Sequence, residues 1–171
     1  MDAAELEYRA LLSLIYAEAA ADLDDVSVVY EDTPSCISLA SALAALLMAR
    51  GKKVSAAPAS RLEGPVDSAF IVMGPYRDGL ADAVASILPL VKKVAVLHTP
   101  AYFAVEELDD FPKLVEGKEV RYAVREEPGE ITFYKVRASG GRVEKSEIAK
   151  RRLTAAESRI VRRYEASVEP P

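Results

Sequence analysis

Short apolar runs alternate with helical segments along the first two thirds of the chain. Each run is four or five residues long and lies between polar or glycine-containing loops, as expected for strands that are buried on both faces. The pattern predicts strands over 26–30, 54–57, 69–73 and 94–97, and helices over 3–22, 37–50 and 80–91. It predicts an α/β fold in which a doubly wound, mostly parallel sheet is flanked by helices.

The last third of the chain has a different pattern. Apolar and polar residues alternate over 119–137 around central turn residues, which predicts an antiparallel hairpin. Gly140 and Gly141 predict a further turn, and the capping box that starts at Thr154 predicts a terminal helix over 155–166. We therefore expect an α/β domain over 1–117 and an extension of hairpin and helix over 118–171 that packs on it.

Composition excludes several classes of protein. The chain has 171 residues with one Cys, Cys36, and one His, His98, so neither an internal disulfide nor a zinc site of four Cys and His ligands can form. It contains no Asn and no Gln, which is typical of hyperthermophile proteins. No apolar run is long enough to span a membrane and the first residues are acidic, so we expect a cytoplasmic protein with no membrane contact.

Charge is distributed unevenly. The net charge is −5, with nine acids and one base in residues 1–32 but eight bases and three acids in residues 142–163. The basic segment is a candidate surface for a protein partner, with DNA as the weaker alternative because an amphipathic helix would carry the same residues. Its candidate contact residues are Arg151, Arg152, Arg159, Arg162 and Arg163.

Ligands of parallel sheets bind beyond the carboxyl ends of the strands, so the loops there hold the candidate chemistry. The first loop has no glycine-rich phosphate motif, although Thr33, Ser35 and Ser38 place hydroxyls around a predicted helix start. Either Thr33 or Ser35 could instead cap that helix. Other residues also allow a functional and a structural interpretation. Arg61 and Arg77 could bind an anion or only be solvated, and Cys36 could be a reactive or a buried thiol. His98 could act as a general base or only form hydrogen bonds.

Two segments resemble motifs of the DHH phosphoesterases, a family that includes the RecJ-type nucleases. Residues 26–51 resemble the first motif, in which an apolar strand precedes a His-x-Asp-x-Asp-Gly loop, a helix of small residues and a glycine. Residues 94–100 resemble the strand that carries the Asp-His-His signature. The family's metal ligands are replaced here at Glu31, Thr33, Ser35, Cys36, Met73 or Gly74, Leu97 and Thr99, and only His98 is retained.

The replaced ligands imply a DHH domain without catalysis. Paired Mn²⁺ or Mg²⁺ ions need several carboxylates, and Glu31 and His98 are too few. We therefore expect no metal, no cofactor and no enzymatic activity. The resemblance implies a non-catalytic subunit similar to the archaeal RecJ-like component of the CMG replicative helicase, with GINS or MCM as its partner.

A second resemblance implies another class of protein. The domains that bind sugar phosphates in the SIS family also have a leading helix and a parallel sheet, with hydroxyls before a helix as at Thr33, Ser35 and Ser38. The alternative function is therefore that of a sugar-phosphate-binding protein or isomerase, although its usual phosphate loop is not present in the sequence.

Overall fold

Seven strands form one sheet in the computed structural model, which describes residues 2–75, 77–99, 108–125 and 127–168. The strands are β1 (Asp25–Tyr30), β2 (Lys53–Pro58), β3 (Val66–Val72), β4 (Val91–His98), β5 (Glu119–Val124), β6 (Glu130–Ser139) and β7 (Arg142–Arg152). Their order is β2-β1-β3-β4-β5-β6-β7. The first five strands pair in parallel, whereas β6 and β7 are antiparallel to their neighbours. The predicted α/β fold is confirmed.

Helices cover both faces of this sheet. They are α1 (Ala3–Ala19), α2 (Pro34–Ala49), α3 (Leu80–Ile87), the single turn α4 (Phe111–Leu114) and α5 (Ala155–Val168). Helices α1, α2 and α5 pack on one face, against side chains such as Val28 and Phe70, while α3 and α4 pack on the other, against Val29 and Ile71. Adjacent residues of one strand thus enter different cores, which explains the continuous apolar runs.

Several predicted boundaries were wrong: α2 begins at Pro34 rather than residue 37, and β3 and β4 begin at Val66 and Val91 rather than at residues 69 and 94. Helix α1 ends at Ala19 rather than residue 22, and α3 ends at Ile87 because Pro89 cannot donate an amide hydrogen bond; a 3₁₀ turn over Leu88–Leu90 leads directly into β4. Strand β7 was not predicted as a strand, since charged residues occupy both of its sides. The turn at 140–141, the glycine after α2 and the capping box of α5 are confirmed.

The C-terminal strands are tied to the rest of the sheet through α1. The Tyr16 hydroxyl donates to the Leu97 carbonyl at 2.6 Å and accepts from the Ala123 amide at 3.4 Å, and so bridges β4 and β5 where their pairing ends. At the opposite edge, Arg121 of β5 donates to Asp22 and Glu119. The sheet is therefore continuous across residues 117 and 118.

No helix in the described part of the chain combines the length and apolar character needed to cross a bilayer.

Candidate functional site

The carboxyl edge of the sheet is closed between β1 and β3 by an internal ion pair. These strands lie where the connections diverge, the usual ligand position in such sheets. Glu31 follows β1, and its Oε2 accepts hydrogen bonds from the Gly74 amide at 3.1 Å and from Arg77 Nη1 at 3.0 Å. Arg77 Nη2 pairs with the other carboxylate oxygen. The Glu31 carboxylate and the Arg77 guanidinium are therefore already paired with each other.

The start of α2 serves helix capping and packing. Thr33, rather than Ser35, is the N-cap, and its hydroxyl accepts from the Cys36 amide at 3.3 Å. Cys36 is fully buried, with Sγ 3.6 Å from the carbonyl of Gly74. Ser35 is half-buried and Ser38 is exposed on the outer side of the helix. The hydroxyls that could bind an anion thus do not converge on one point.

His98, at the end of β4, is fully buried under α1. Arg9 Nη2 donates to the His98 carbonyl at 2.5 Å and lies 3.4 Å from ring Nδ1, while Ser13 Oγ lies 2.8 Å from Nε2. Because Arg9 can only donate, Nδ1 must accept. Ser13 donates its own proton to the Arg9 carbonyl, so Nε2 must carry the ring proton. The contacts therefore assign a neutral Nε2–H tautomer whose lone pair faces a guanidinium.

The electrostatics of this cluster oppose any further positive charge. Burial and the charge of Arg9 hold the pKa of His98 well below its usual value of 6.5. Burial also lowers the pKa of Arg9, while electrostatic interactions with Cys36 and Glu5 raise it; a guanidinium nevertheless stays charged in proteins. A divalent cation at His98 would therefore have to displace or lie beside a buried positive charge.

Arg9 belongs to a polar stripe that faces the interior along α1. Glu5, Arg9, Ser13 and Tyr16 follow helical spacing, and all four are buried. Arg9 Nε and Nη1 and Glu5 Oε1 have no hydrogen-bond partner among the described residues. Burial raises the pKa of Glu5, and the nearby Arg9 opposes that increase. The stripe thus places an incompletely paired cation beneath the carboxyl edge of the sheet.

The remaining candidate positions do not join this cluster. Met73 and Thr99 are buried, and Leu97 packs on the opposite face of the sheet, among the side chains under α3. Arg61 is exposed after β2. Within the described ranges, no three His, Cys, Asp or Glu side chains converge as metal ligands would.

The C-terminal arginines lie on β7 and on α5, which packs against α1 through the stacked rings of Tyr8 and Tyr164. Arg151 pairs with Glu157 and Arg163 with Glu7. Arg162 donates to the Ser158 carbonyl on its own helix. Arg152 on β7 and Arg159 on α5 are exposed.

Sequence reasoning missed the residues that dominate the site. Arg9, Ser13 and Tyr16 lie in a predicted helix that is rich in Ala and Leu, and polar residues of such a helix are expected to face solvent. The available signal was the charge count, because Arg9 is the one base among the first 32 residues and shares a helix face with Ser13.

No protein-family model matches the chain, and no curated protein matches it.

Proposed function

We propose that this chain is a non-catalytic protein-interaction subunit: a degenerate RecJ-like DHH domain that acts in DNA replication as a scaffold associated with GINS or MCM. The observation that carries the proposal is the buried Arg9 guanidinium against His98. In the family that the sequence resembles, the corresponding edge holds a pair of metal ions. The buried Arg9 guanidinium and its hydrogen bonds at the carboxyl end of β4 support a domain that holds no such metal pair.

The remaining positions support the same conclusion. Hydrolysis with two metal ions needs carboxylates that are free to bind the ions and a water that they activate. Glu31 is committed to Arg77 and Gly74, Thr33 to helix capping, and Cys36 to the core. These three positions thus have structural roles that need no metal, which supports a fold that is kept without the reaction.

The surface supports a role in binding a partner. Helix α2 carries no charged residue over its 16 residues, although Ile37 and Met48 are 40% and 55% exposed. Exposed apolar side chains on an uncharged helix are typical of surfaces that protein partners cover. The acidic N-terminal segment and the basic C-terminal segment add the charge asymmetry that gives such contacts specificity.

Size-exclusion chromatography with the GINS complex of the same organism tests this function. We expect the full chain and GINS to co-elute at micromolar concentration and moderate salt, because a scaffold subunit must bind without substrate. The matched variant is Met48→Glu. It adds a charge to the apolar surface of α2 at an exposed position and leaves the core intact. Separate elution of the wild-type chain and GINS would contradict the proposal, whereas a loss confined to Met48→Glu would locate the contact on α2.

A further inference from the structure

Helix α2 has an exposed ridge without charge. The helix packs on β1 and on the edge strand β2, at the end of the sheet opposite β7. Charged residues make up 29% of the sequence, but α2 contains none over its 16 residues. Exposed residues recur on its outer side at intervals of three or four, which places them on one line along the helix. These residues are Pro34, Ile37, Ser41, Ala45 and Met48.

The order of side chains along this ridge is complementary to itself when it is reversed. Ile37 and Ala45 lie four residues before and after Ser41, and Pro34 and Met48 lie seven residues before and after it. In an antiparallel pair of α2 helices with a two-fold axis at Ser41, Ile37 of each copy therefore meets Ala45 of the other. Met48 likewise meets Pro34. Large side chains thus pack on small or flat ones, and the small residues near the axis let the helices approach to about 8 Å.

The two ends of α2 carry opposite charges. Asp32 precedes the helix, whereas Arg50 and Lys53 follow it, and all three are exposed. None of their side chains forms an ion pair within the described chain. In the antiparallel pair, the acidic end of each copy lies against the basic end of the other. Shape and charge therefore both favour a second copy of the chain, whereas a nucleic acid would find no base on the ridge.

We propose that the chain forms a two-fold symmetric dimer in which α2 packs antiparallel against α2 of a second copy, centred on Ser41. The inference goes beyond the proposed function, because it concerns the chain without GINS. A contact through one pair of helices is smaller than a standard protein interface, so we expect the dimer to dissociate in the micromolar range.

Sedimentation equilibrium of the full chain, from about 1 to about 200 µM, tests the proposal. We expect a reversible equilibrium between monomer and dimer for the wild-type chain. Met48→Glu places a charge in each half of the apolar contact and should weaken the dimer about tenfold or more. Val143→Glu is the matched control, because it adds the same charge at an exposed apolar position on β7 and should leave the dimer unchanged.

Charge reversal tests the antiparallel orientation. Asp32→Lys should weaken self-association because it brings like charges together at both ends of the contact. The double variant of Arg50→Glu and Lys53→Glu should weaken it for the same reason. A mixture of the two variants should dimerise more strongly than either alone, since both ends of the mixed pair then carry opposite charges. Higher salt should reduce this recovery.

Three results would overturn the proposal: a wild-type chain that stays monomeric over this range, a dimer that Met48→Glu does not weaken, or a mixture that shows no recovery. The mixture also separates a lost contact from a failure to fold, because a misfolded variant cannot be rescued by its complement. If the chain alone is monomeric but co-elutes with GINS, this inference fails and the proposed function stands. If the chain dimerises through α2 but does not bind GINS, the reverse holds.

Discussion

Replacement of His98 by Ala should lower the free energy of unfolding by about 3 kcal/mol. The ring is fully buried, and its centroid lies 4.9 Å from that of Tyr16. Its removal leaves a cavity and withdraws one acceptor from Arg9 and one donor from Ser13. Arg9 would then retain only the backbone carbonyl as a partner. Urea unfolding followed by circular dichroism measures the loss.

A double-mutant cycle separates the cavity from the polar contact. Arg9→Met keeps the volume of the side chain but removes its charge, so His98→Ala should cost about 1 kcal/mol less in that background. A loss below about 1 kcal/mol for His98→Ala in the wild-type background would contradict the cluster described here. Equal losses in the two backgrounds would show that the contact between Arg9 and His98 contributes nothing.

The stability that the neutral, buried His98 contributes should fall by about 1 kcal/mol as the pH decreases from 6.5 to 5.5. In the unfolded chain His98 takes up a proton over this range, whereas burial and Arg9 hold its pKa in the folded chain well below 6.5. The stabilising difference is thus fully present above pH 6.5 and is lost as the pH falls toward the folded pKa. His98 is the only histidine in the sequence, so no other imidazole contributes to this change of stability with pH.

The matched variant is His98→Gln, whose amide can accept from Arg9 and donate to Ser13 but does not titrate. Burial raises the pKa of the neighbouring Glu5 carboxyl, which acts in the opposite direction as the pH falls, and the comparison cancels this contribution. Urea unfolding at several pH values should give a steeper decline for wild type than for His98→Gln. Parallel profiles would contradict a neutral, buried His98.

The fold was predictable because its parallel strands need an unusual pattern. Val28, Val29, Phe70 and Ile71 are apolar regardless of the face they point to, and such runs occur only where helices cover both faces. Strand β7 could not be predicted in the same way. Charged residues lie on both faces of this strand, so its sequence does not alternate between apolar and polar residues. Its conformation depends on pairing with β6 rather than on burial.

The candidate site was predictable only in its positions. Strand ends and helix starts located Glu31, Cys36 and His98 at the carboxyl edge, where the structure has them. What these residues contact depends on α1, which is distant in sequence and packs across β4. The pairing of Arg77 with Glu31 likewise joins two loops whose separation no local pattern reveals.

Mn²⁺ binding tests the central claim most directly, since that claim is that Arg9 and its hydrogen bonds occupy the place of a metal pair. Electron paramagnetic resonance of free Mn²⁺ should give the same binding curve for wild type and for the double variant of Glu31→Gln and His98→Gln. That result means that the carboxyl edge holds no ion. Two tightly bound Mn²⁺ ions per wild-type chain, both lost in the double variant, would contradict the account.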